Sequence, residues 1–114
     1  MIPIVLDPAR LRLAVAGDGP AARRRLAKLR AAGAVPLAVP DPDAAALPPL
    51  DLLWIADLPP ERAEALAAAA RAHGALVNVE DRPACCDFRN AAELRRGDLL
   101  IAVTTGGASP GLAG

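Results

Sequence analysis

Residues 11–22 run Leu11-Arg12-Leu13-Ala14-Val15-Ala16-Gly17-Asp18-Gly19-Pro20-Ala21-Ala22, and this stretch decides the fold. Its first half is short, mostly apolar and ends at glycine, which predicts a β-strand over 11–16. Pro20 suits the first position of a helix, where its missing N–H costs nothing. Ala22, Leu26 and Leu29 then recur at helical spacing, so a helix is expected over 20–32, with Gly33 as its stop. Strand, Gly17-x-Gly19-x-x-Ala22 and helix is the context that a dinucleotide-binding turn requires. Gly17 permits the tight turn, Gly19 lets the backbone approach a diphosphate, and Ala22 allows close packing of helix on strand. The helix N-terminus offers unpaired N–H groups and partial positive charge, with Pro20 removing one donor. The alternative is a tight strand-to-helix turn with no ligand.

Working outward, short apolar runs alternate with helical patterns. Strands are expected over 35–39, 52–56, 75–79 and 99–104, and a second helix from Asp57-Leu58-Pro59-Pro60 to about Ala72. Glu61 in its first turn and Arg71 and His73 near its end complement the helix dipole. Pro36 weakens the second strand. Residues 40–51 carry four prolines and read as a loop without room for a crossover helix. Residues 80–97 read as a long loop with a helical turn near 91–94. Ile2 to Leu6, ahead of the Asp7-Pro8 turn, could form a hairpin or an extended lead-in. The alternation implies right-handed βαβ units: an α/β chain with a Rossmann-like NAD-binding fold and a mostly parallel sheet, in a single domain over 1–114.

Composition narrows the function classes. The chain has 114 residues, one domain's worth. Its 13 basic and 13 acidic residues cancel, and aromatics are 2%, so neither a basic field nor a stacking platform supports nucleic-acid binding. No run approaches the roughly 20 apolar residues that span a bilayer, and no charged leader with a long apolar run opens the chain. Adjacent Cys85 and Cys86 make neither a disulfide framework nor a spaced metal site, so no metal is assigned and a cytoplasmic location is expected. Asp41 follows the second strand at the distance of a ribose-binding acid, which favours NAD over NADP; a solvated Asp-Pro turn is the other reading. Arg23-Arg24-Arg25 reads as a solvated helix face, or as a partner for ligand carboxylates. Trp54 reads as core.

Three stretches resemble the precorrin-2 dehydrogenase/sirohydrochlorin ferrochelatase family, the N-terminal module of siroheme synthases. They are Pro3-Ile4 followed by the strand and glycine turn; Asn78-Val79-Glu80-Asp81-Arg82-Pro83 with Phe88 beyond it; and residues 100–110, where Thr104-Thr105-Gly106-Gly107 leads to Ser109-Pro110. The resemblance implies oxidation of precorrin-2 to sirohydrochlorin with hydride passed to NAD, and in some members insertion of ferrous iron. It implies Asp81 as the key acid. It places nucleotide contacts on Gly19, Pro20, Ala21, Asp41 and Pro42, beside Gly17, and a tetrapyrrole contact on Thr105. Asn78 and Gly106 are expected at the same substrate site. A carboxylate at a strand's C-terminal end, beside the nucleotide crevice, is where open α/β sheets place such a base.

The sequence also departs from the family. A Pro-rich loop replaces a longer segment before Leu52, Asp57-Leu58-Pro59-Pro60 stands where the family has a Thr-Asp region, and Asp87 replaces a Ser. The family continues past the Ser-Pro stretch into a helical dimerisation region, whereas this sequence ends at Gly114; a homodimer is carried as an expectation. The rival expectations are a module that binds NAD or a tetrapyrrole without turnover, and a nucleotide-sensing regulatory domain.

Overall fold

A computed structural model describes residues 1–105. They form two compact units, one spanning 5–88 and one formed by the remaining residues.

The larger unit holds a four-stranded parallel sheet, β1 (Leu13–Ala16), β2 (Leu37–Val39), β3 (Leu52–Ile55) and β4 (Leu76–Val79), in the order β2-β1-β3-β4. Two helices complete it, α1 (Pro20–Ala31) and α2 (Pro60–Ala72). The expected α/β architecture is therefore present, each strand lying within one or two residues of its sequence-read bounds. β1 and β3 are buried along their whole length. This explains their unbroken apolar runs, because a parallel sheet covered on both faces has no polar side to show.

The period of two sorts the side chains. Leu13, Val15, Leu52 and Trp54 face one cluster with Ala22, Leu26 and Leu29 of α1. Ala14, Ala16, Leu53, Ile55, Val77 and Val79 face the other, with Ala63, Leu66, Ala67 and Ala70 of α2. Trp54 is core, as expected, and meets Phe88 edge-on at 5.3 Å between ring centroids. Between β2 and β3 the chain makes only a short 3-10 turn, Ala44–Ala46, capped by the Asp43 carboxylate on the Ala45 N–H at 3.0 Å. Ala44 and Leu47 pack from this connection onto the α2-side core. At the N-terminal ends of β1 and β3, Asp51 accepts from the Arg12 N–H at 2.7 Å and from its guanidinium at 3.2 Å. Those bonds, the side-chain one foremost, hold the Asp51 carboxyl below its ordinary value.

Two expectations are corrected. Residues 91–94 are not a helical turn: Ala92–Arg96 is a strand, β5. It pairs antiparallel with β6 (Leu99–Val103), which therefore does not extend the parallel sheet. Gly97, at φ +57°, and Asp98 make the two-residue connection, a hairpin geometry that a glycine at positive φ permits. The lead-in residues 1–6 form neither helix nor strand, and the Asp7 carboxylate caps a 3-10 turn at Pro8–Arg10.

Candidate functional site

Parallel strands end on one side, and in an open α/β sheet ligands bind beyond those ends where the strand order reverses. Here that point lies between β1 and β3. The segments leaving these two strands are Gly17-Asp18-Gly19 and Asp57-Leu58-Pro59.

The glycine turn has the expected shape. Gly17 sits at φ +120°, and a Cβ there would lie 1.8 Å from the Ala56 carbonyl oxygen, so only glycine fits. Its N–H donates to the Val39 carbonyl at 3.0 Å, tying the turn to β2. Gly19 is the N-cap of α1, with Pro20 in its first turn as read from the sequence. Ala22 is buried against β1 and β3, and Ala21 is partly buried on the same cluster. The cradle that a side chain at Gly19 would fill is partly taken by Asp57, whose Cγ and Oδ2 lie 2.3 and 2.4 Å from where that Cβ would stand. The Asp57 Oδ2 accepts the Ala22 N–H at 2.9 Å.

Asp41 and Pro42 follow β2 at the same sheet edge. Asp41 is exposed and pairs with Arg62 of α2 at 3.3 Å, while the Arg62 guanidinium also donates to the Pro42 carbonyl at 2.9 Å. These three residues line a pocket of about 390 Å³ with Asp43, Ala44 and Leu66.

Asp81 follows β4 and is exposed. It and Asp57 are the two described non-glycine residues at positive φ, +61° and +60°. Both stand just beyond a strand's C-terminal end, and aspartate tolerates that backbone better than most residues. Asn78 lies within β4. It is buried, pairs in register with Trp54, and donates from Nδ2 to the Phe88 carbonyl at 2.8 Å. It ties down the loop that carries Asp81. Thr105 is half-buried in the other unit, and Gly106 lies outside the described residues.

Asp87 and the cysteines have structural work in the same loop. Cys86 Sγ accepts the Val79 N–H at 3.2 Å. Asp87 pairs with Arg71 at 2.9 Å. Burial opposes its charge most strongly, but the bonds from Arg71 and the Val77 N–H and the Arg71 charge together outweigh it, holding the carboxyl below its ordinary value. Among the described residues no three His, Cys, Asp or Glu side chains stand together as metal ligands. No described helix is long and apolar enough to cross a membrane.

A family model for NAD(P)-binding domains matches residues 43–92, the span that holds β3, α2, β4 and the Asp81 loop. The siroheme synthase of Methylococcus capsulatus is 57% identical over 49 residues, covering 43% of this chain and 10% of that protein. This chain resembles the siroheme synthases. Those of Nitrosococcus oceani, at 50% over 44 residues, and Thiobacillus denitrificans, at 45% over 51 residues, agree. The matched segments amount to about a tenth of the length of these siroheme synthases.

Sequence reading missed two partners in this site. Arg62 was legible only as one more charge in a helical pattern. Asp57 was visible as a departure from the family at the end of the third strand, and only the fold shows what it touches.

Proposed function

We propose that this chain is the nucleotide-binding part of an NAD-dependent dehydrogenase that converts precorrin-2 to sirohydrochlorin. The observation that carries the reading is Asp81, a carboxylate just beyond β4 on the sheet edge that also bears the glycine turn. β4 lies two strands from β1, so about 10 Å separates them at that edge. That span suits a proton acceptor on one side of a substrate and a hydride acceptor on the other.

The residues present fit a dinucleotide. Gly17 and Gly19 open a cradle that side chains would close, and Pro20 and Ala21 begin the helix whose N-terminus faces it. Asp41 and Pro42 stand where an adenosine ribose would be held, and the Asp41 carboxylate favours NAD by repelling a 2′-phosphate. The nicotinamide supplies the hydride acceptor. The chain's own residues do the rest: Asp81 takes the proton released from the macrocycle, and Asn78, through Phe88, holds the loop in place for that transfer. Thr105 and Gly106 belong to the tetrapyrrole side of this proposal. A homodimer, a cytoplasmic location and, in a second activity, proton removal by Asp81 during ferrous iron insertion complete it.

Incubation with precorrin-2 and NAD is expected to yield NADH and sirohydrochlorin, with Asp81→Ala reducing the rate by roughly 10²–10⁴-fold. No NADH at high protein concentration overturns the reading. A second reading, a module that binds NAD or a tetrapyrrole without turnover, is favoured by the Asp57 carboxylate on α1. Its signature is calorimetric binding of either ligand with no NADH formed.

A further inference from the structure

We propose that Asp57 is a built-in competitor of the dinucleotide diphosphate at the glycine turn, an inference that rests on the NAD(P) reading of that turn. Three features of Asp57 carry it. The first is position. Asp57 leaves β3 at the point where the strand order reverses, and its φ of +60° marks a backbone turned away from the extended path of the strand. The second is occupancy. Its Cγ, Oδ2 and Cβ lie 2.3–2.5 Å from where a Gly19 side chain would begin, inside the volume that a glycine at this position keeps open for a phosphate.

The third is charge and donor supply. Anions are held at a helix N-terminus by its first N–H groups and its partial positive charge. In α1, Pro20 has no N–H to give, and the Ala22 N–H is given to Asp57 at 2.9 Å. Among the described residues Asp57 has no ion-pair partner; the nearby Arg23 is paired with Asp18 at 3.6 Å. A diphosphate approaching α1 therefore meets a carboxylate that already holds a donor and repels it. Binding requires the Asp57 side chain to leave. Pro59, at φ −57°, and Pro60 restrict the following backbone, so the movement falls on the exposed Asp57 side chain itself.

Two variants of the full chain test this. Asp57→Gly removes the carboxylate and suits the positive φ. Asp57→Asn keeps an acceptor for the Ala22 N–H and removes the charge. Each is titrated calorimetrically with NADH, NADPH, inorganic pyrophosphate and adenosine. Both variants are expected to bind NADH and pyrophosphate roughly tenfold more tightly than the parent, with adenosine affinity unchanged. Variants that unfold cooperatively yet bind NADH and pyrophosphate no better than the parent overturn the proposal and leave Asp57 a helix cap. If Asp57→Asn does not fold, Asp57→Gly decides alone. A pyrophosphate gain without NADH or NADPH binding by any form supports the competitor and overturns the cofactor reading. Tight NADH binding by the parent with no gain in the variants does the reverse. Failure of all four ligands with all forms overturns both.

Discussion

Asp87 and Val77 bond to each other as neighbouring strands would: the Asp87 N–H donates to the Val77 carbonyl at 2.7 Å, and the Val77 N–H donates to the Asp87 carboxylate at 2.9 Å. β4 is the last strand of the sheet on this side, and an uncovered edge invites pairing with other chains. Asp87 and Cys86 cover it from the loop that follows. Asp87→Ala is therefore expected to lower stability by about 1–3 kcal/mol, read from the midpoint of urea unfolding. An unchanged midpoint contradicts this account of the edge.

The same carboxyl gives a pH dependence with a definite sign. Its native pKa is lowered, so the unfolded chain takes up the proton first as pH falls. Its stabilising contribution is complete above the ordinary aspartate value, near pH 4, and is lost as pH drops through the lowered native value. Acid unfolding of Asp87→Asn should accordingly be shallower than that of the parent below about pH 4. Parallel profiles for the two proteins would count against it.

Asn78→Ala removes the donor to the Phe88 carbonyl and leaves a space beside Trp54. A loss of about 1–3 kcal/mol is expected, together with faster amide exchange across residues 80–88. Exchange that rises uniformly over the sheet instead of in this loop would deny Asn78 its positioning role.

Gly17→Ala must place a methyl against the Ala56 carbonyl oxygen at a φ of +120°. The expected cost is about 2–4 kcal/mol in thermal or urea unfolding, with loss of nucleotide affinity. A variant as stable as the parent is incompatible with the close approach of β1 and β3 at this end.

Asp41→Ser removes the charge that opposes a 2′-phosphate and frees Arg62 to meet one. The ratio of NADPH to NADH affinity should rise roughly tenfold. If the ratio does not move, the ribose lies elsewhere and Asp41 is a solvated partner of Arg62.

Much of this molecule is legible in its sequence. Short apolar runs over 11–16 and 52–56 mark two strands, and the fold shows why they are apolar: β1 and β3 are covered on both faces. Pro20 and Gly33 bracketed α1 because each has a backbone reason to stand at a helix end. The hairpin of β5 and β6 was not legible: the alternation Ala92-Glu93-Leu94-Arg95 is only four residues long, and its strand character comes from pairing with Leu99–Val103. The amide of Asn78 is visible in the sequence, whereas its burial and its bond to the Phe88 carbonyl are set by the fold.

The sequence by itself determined the βαβ order and the glycine cradle, since both follow from local sterics and side-chain period. The tertiary structure decided what enters the cradle. Asp57 lies 35 residues from Ala22 in the chain, and Arg62 lies 21 from Asp41. Such pairs are set by which strands stand side by side, and the order β2-β1-β3-β4 brings β3, and Asp57 with it, against the glycine turn.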